Sequence, residues 1–165
     1  MSQSLGIFLA LHQLASIVWI GGMFFAHFAL RPTLKRALEP QARLQVVLGV
    51  FRRFFPWVWL CVASLWLTGG WISVVVLEGN LSLHVGGMIA IALVMTLVFA
   101  YLYFVPFRRM RLAVEQEVWR RASTEFDRIR QLMAFNLTLG ILTVILAVSG
   151  PLALPRLASL LGSTI

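Results

Sequence analysis

The stretch Leu5–Leu30, LGIFLALHQLASIVWIGGMFFAHFAL, decides the fold. It holds 26 residues and no formal charge. At ~1.5 Å rise per residue, such a helix crosses a bilayer core of roughly 30 Å with some tilt. His12 and His27 interrupt it. An ionisable side chain inside a membrane span is costly and marks a candidate functional site. At ~100° per residue, Ala15, Ser16, Trp19, Met23 and Ala26 share the face of His12. The pair Gly21-Gly22 lies near mid-span, where a neighbouring helix or a flat ligand can approach the backbone.

The remaining composition agrees with a membrane protein. Of 165 residues, 60% are hydrophobic and 12% charged, about half the charged fraction of a soluble domain. Mean hydropathy is +0.89. The first span lacks a basic leader and a small-residue cleavage pattern, so it reads as a retained helix. Cys61 is the one cysteine, which leaves neither an internal disulfide nor a CxxC motif.

Four spans are expected, at about 5–30, 54–77, 81–105 and 131–154. Together they make an all-α polytopic bundle in a single domain, 1–165. Arg31-Pro32 is expected to close the first span, because proline disfavours helix before it. Ala42–Phe51 reads as a short interfacial helix. Glu78-Gly79-Asn80 makes a tight turn between spans two and three. Pro106 ends or kinks the third span. Residues 107–130 read as a charged helical connector on the cytoplasmic side, and the fourth span ends at Pro151 and Pro155. Asn136 within that span needs a polar partner, most simply across a helix interface.

Orientation follows from the basic residues. The first connector, counting Arg31, holds six Lys/Arg and the second holds seven, whereas the turn after span two and the N-terminus hold none. The positive-inside rule puts both connectors in the cytoplasm and both termini on the outer, periplasmic side. The net charge of +8 is then membrane topology and attraction to lipid headgroups, not a sign of nucleic-acid binding.

This orientation gives the histidines their meaning. Counted from the expected span ends, His12 and His84 lie near the outer face and differ in depth by less than one turn, ~5 Å. His27 lies ~22 Å below His12, at the cytoplasmic end. Two imidazoles at matched depth can hold one metal, and bis-histidine ligation of haem is one such arrangement. The face of His84 also carries Gly87, Met88, Ile91 and Met95. The bland alternative is a pair of histidines hydrogen-bonded to carbonyls or water, with methionines that simply pack.

The run LHQLASIVWIGGMFFAHFALRP resembles the first span of the CopD-domain membrane proteins of bacteria, the copper resistance protein D group. So do RFFPWVW at Arg53–Trp59, TGGW at Thr68–Trp71, HVGGM at His84–Met88, YFVPFRRMR at Tyr103–Arg111 and NLTLG at Asn136–Gly140. The resemblance covers nearly the whole chain, in the compact single-domain branch. It implies a bundle in the bacterial inner membrane and a link to copper uptake or tolerance. The chain is also distantly similar to the HemJ family, associated with b-type haem. His12 and His84 match there, but a lysine position is occupied by Gly86, so that family's oxidase activity is not carried over.

Three readings are therefore open. The first, and preferred, is haem b between His12 and His84, flanked by Trp19, Gly22 and Gly87, for electron transfer or a small redox reaction. The second is copper handling, with His12 and His84 helped by the soft thioethers of Met23, Met88 and Met95. The third is a structural subunit without cofactor. The expected partners are the lipid bilayer, a redox protein or quinone, and further copies of the chain.

Overall fold

In the computed structural model the backbone is described for residues 2–75 and 83–162, and side chains within 4–149. Every element is helical: α1 Ser2–Phe25, α2 Arg31–Ala37, α3 Pro40–Val75, α4 Leu83–Leu102, α5 Arg108–Glu115 and α6 Trp119–Gly162. Four helical stretches are long and apolar enough to cross a membrane: Ser4–Ala37, Pro40–Val75, Leu83–Glu115 and Trp119–Ser149. The expected four-helix membrane bundle is therefore the architecture, with elements longer than the sequence suggested. The turn expected at Glu78-Gly79-Asn80 lies outside the described residues.

Pro32, expected to close span one, does not end it, and at Pro106, expected to end or kink span three, the helix continues. Span one continues past Pro32 to Ala37 through a π-helical turn, Ala26–Leu30. Span three continues past Leu102 through a second π-helical turn, Tyr103–Phe107, which contains Pro106. Proline lacks an N–H and its ring pushes on the carbonyl four residues back. One extra residue in the turn makes room for that carbonyl without ending the helix. In lipid, ending the helix there would leave backbone groups unsatisfied.

The stretch expected as a separate interfacial helix, Ala42–Phe51, is the first part of α3. A stripe at helical spacing, Leu44, Val47, Leu48, Phe51, Phe55 and Val58, is buried without interruption through it. Arg52 and Arg53 sit on its exposed side. The connector expected over 107–130 is two helices with a tight turn at Gln116–Val118. The turn closes with Val118 N–H donating to Ala113 C=O at 2.8 Å and Glu117 N–H to Val114 C=O at 3.2 Å. This is a Schellman closure, with Glu117 in the left-handed region at φ 57°. Also in the backbone, α6 runs on through Pro151 and Pro155 to Gly162.

Span one packs mainly on span two, and span three on span four, with a smaller contact joining spans one and four. The half of the bundle near the basic connectors is solid. There Phe55, 1% exposed, stacks on Phe51 at 4.9 Å and meets Phe99 and Phe107 edge-on at 5.6 and 4.8 Å. Such ring pairs add about 0.5–1.5 kcal/mol each beyond area burial. Asn136 donates its side-chain N–H to the Met95 carbonyl at 3.1 Å, which supplies the expected partner across the span three–span four interface. Large apolar side chains face outward on all four spans, including Ile17, Leu67, Leu97 and Ile145. In lipid that surface is matched to its solvent.

Candidate functional site

Above the aromatic core the bundle opens. A cavity of about 450 Å³ lies among all four spans. Its inner end is marked by Trp19, whose ring meets Phe99 at 6.2 Å. Outward of it, Phe8 stacks on Trp71 at 4.2 Å, one helical turn beyond His12 on α1 and about one turn beyond Thr68 on α3. Trp66 Nε1–H donates to Thr96 Oγ1 at 3.1 Å and ties span two to span three along the cavity side.

His12 lines this cavity. Its Nδ1 lies 2.8 Å from Thr68 Oγ1. The Thr68 hydroxyl has one proton, and the Ser64 carbonyl at 2.6 Å takes it. Thr68 is therefore the acceptor and His12 Nδ1 the donor. That fixes the tautomer and leaves the Nε2 lone pair uncommitted to Thr68. The backbone of Gly69 makes room for the ring, since a Cβ there would stand 3.3 Å from His12 Cε1.

The hydroxyl groups on the wall follow one pattern. Ser16, Ser73, Thr96 and Thr143 donate their hydroxyl protons to carbonyls one turn back on their own helices, at 2.8–2.9 Å. Their oxygen lone pairs are what the cavity receives. Met88 and Met95, two turns apart on α4, add thioether sulfurs. Among the described residues no Asp, Glu, Lys or Arg lines the cavity. The wall thus offers electron-pair donors without formal charge. Among the described residues no three His, Cys, Asp or Glu side chains converge, so no zinc-type cluster is present there.

The structure distributes the expected site residues unevenly. His12, Trp19, Met88 and Met95 line the cavity. Met23 is buried one turn inward of Trp19 and packs in the core. Gly22 lies under the ring of Phe54, which fills the relief expected to admit a flat ligand. Gly87 has open space where a Cβ would stand. His84 is the second residue of α4 and is not on the cavity wall.

The depth of His84 relative to His12 depends on the contact taken as the common level. From the Trp19–Phe99 contact, His12 is seven residues outward on α1 and His84 fifteen residues outward on α4, a difference of ~12 Å. From Ile20 and Met95, which meet beside Gly140, the same count gives ~5 Å. Helical spacing still puts His84 on the face of Met88 and Met95, one turn outward of Met88, at the rim. Thr68, Gly69 and Gly140 were not singled out as site residues. A Cβ at Gly140 would stand 3.0 Å from Ile20 and 3.4 Å from Met95 Cε, so this glycine lets span four close on spans one and three.

Comparison with known proteins adds the family. The family model described as Copper resistance protein D matches residues 48–149. That region spans Thr68, His84, Met88, Met95, Asn136 and Gly140, while His12 precedes it. No curated protein and no solved structure matches the chain. With more than half of its length matched, and with the four apolar spans described above, this chain belongs to the copper resistance protein D (CopD) family of membrane proteins.

Proposed function

We propose that the protein binds Cu(I) as cargo within the membrane, in the cavity lined by His12, Met88 and Met95. The observation that carries this reading is the commitment of His12 Nδ1 to Thr68, which leaves Nε2 uncommitted to Thr68 in a cavity that Met88 and Met95 also line. An imidazole nitrogen and thioether sulfurs are the soft donor set that suits Cu(I). A monovalent, soft ion is also the transition-metal form least penalised by a cavity whose described lining holds no carboxylate. His84, on the same face of α4 and at the rim, is the entry ligand. With the basic connectors in the cytoplasm, the cavity opens toward the periplasmic side of a bacterial inner membrane.

Haem b between His12 and His84 is the competing reading. It needs both imidazoles on one iron, whereas His12 lines the cavity and His84 does not. The test is titration of purified protein with Cu(I) under reducing conditions, against a chromophoric Cu(I) chelator. Tight binding by wild type, lost in H12A, supports copper. Equal binding by wild type and by an H12A/M88L/M95L variant overturns it. A Soret band in wild type that H12A or H84A abolishes would establish haem instead.

A further inference from the structure

The other end of the bundle carries a different site. A shallow cleft of about 30 Å³ opens where span four crosses the π-helical turn of span one and α3. His27, Arg31 and Arg130 line it, over apolar walls from Phe51, Phe126 and Met133. Arg31 lies within electrostatic reach of Arg130 and Arg43, and of the Asp127 carboxylate. Asp127 engages Arg130 at 3.4 Å. Three guanidiniums against one carboxylate leave a local charge of about +2. Arg31 and Arg130 both line the cleft, and an oxyanion there would balance its excess positive charge.

The surroundings indicate where that anion comes from. The cleft lies at the end of the bundle that bears the basic connectors, which is headgroup level for either orientation. Beside His27, the rings of Phe28 and Phe24 are more than half exposed to the lipid and form a pair at 4.8 Å. A ligand with a phosphate and attached acyl chains fits both the cations and this apolar flank. Basic clefts between spans are suited to such headgroups. We propose that this cleft is a binding site for the phosphate of an anionic phospholipid headgroup. Arg31 and Arg130 grip the phosphate oxygens, and the acyl chains run along Phe24 and Phe28. The site is independent of the copper reading.

The test uses the full chain in neutral-detergent micelles, with added phosphatidylglycerol, phosphatidylcholine or inorganic phosphate. Retained lipid is counted by native mass spectrometry, and thermal midpoints report folding. Wild type should retain phosphatidylglycerol over phosphatidylcholine. R31Q/R130Q should lose about thirtyfold in that preference, two charges at the strength each has near an anionic surface. The control R109Q/R120Q removes two exposed connector charges and should keep the preference. The single variants R31Q and R130Q should each show about fivefold loss, which keeps the test open if the double variant does not fold. Unchanged retention in the R31Q and R130Q variants overturns the site. So does an equal loss in the control, which would mean diffuse surface attraction. Inorganic phosphate raising the midpoint as much as phosphatidylglycerol would overturn the lipid assignment.

Discussion

His12 Nδ1 is held 2.8 Å from Thr68 Oγ1, across 56 positions of sequence, by a hydroxyl whose own proton is spent on Ser64. A ligand histidine oriented by a partner on its other nitrogen has a fixed tautomer and ring plane, and losing that partner typically costs 10–100-fold in metal affinity. Thr68→Val keeps the shape and removes the acceptor. Cu(I) affinity, read by chelator competition, should fall by roughly that factor, while Thr68→Ser should stay near wild type. Equal affinities for Val and Ser would show that Thr68 does not orient a ligand.

Gly69 provides a second handle on the same ring. A Cβ 3.3 Å from His12 Cε1 is tighter than ordinary contact, so Gly69→Ala must move the imidazole by a few tenths of an ångström. Alanine also favours the helix over glycine by about 1 kcal/mol. The expected signature is therefore a fold at least as stable as wild type with weaker Cu(I) binding. A Gly49→Ala control, exposed on the same helix and away from the cavity, where a Cβ meets open space, should gain the helix preference and keep the affinity.

The four spans were legible because an uncharged run of 26 residues has few alternatives. Their lengths were not. Pro32 reads as an end and Pro106 as an end or a kink, yet a π-helical turn accommodates each ring, and lipid disfavours a broken helix more than a widened one. Ala42–Phe51 reads as a helix separate from the span at about 54–77, but the buried stripe of α3 runs through both. The cavity was half legible. His12, Trp19, Met88 and Met95 stood out as polar or polarizable groups within spans. Their partners did not, because a glycine in a span announces a close approach without naming what approaches. Gly22 receives Phe54, whereas Gly69 receives His12. The relative depth of His12 and His84 was not legible, because expected span ends do not say how the helices slide against each other.

The connector offers a test of the fold alone. Glu117 occupies the left-handed position of a Schellman closure, at φ 57°, where a side chain costs roughly 1–2 kcal/mol. Glycine avoids that cost but loses more chain entropy on folding, roughly 0.5–1 kcal/mol. Glu117→Gly should therefore stabilise by about 0.5–1 kcal/mol, visible as a raised thermal midpoint without a change in metal affinity. A lowered midpoint would mean that the Glu117 carboxylate contributes more than its backbone strain costs.

The methionines and histidines together separate the readings of the site. On α4, His84, Met88 and Met95 share one face, running from the rim into the cavity. Met23 and His27 are on span one but off the cavity wall. Leucine conserves methionine's volume, at under about 1.5 kcal/mol in a core, so Met→Leu removes the sulfur with little repacking. If Cu(I) is held by His12 with Met88 and Met95, then M88L and M95L should each weaken it. M23L and H27A should not. H84A should slow loading from the outer side more than it weakens the bound state, because the rim lies a turn or more away from the held ion. Stopped-flow loading in nanodiscs, beside equilibrium competition, reads the two quantities separately. Haem between two histidines predicts another pattern: H12A and H84A equally damaging to a Soret band, and the methionine variants silent. A purely structural role predicts a third, with every variant binding Cu(I) as wild type does. An equilibrium loss in M23L as large as in M88L would place the ion below Trp19, and the cavity would not be its site.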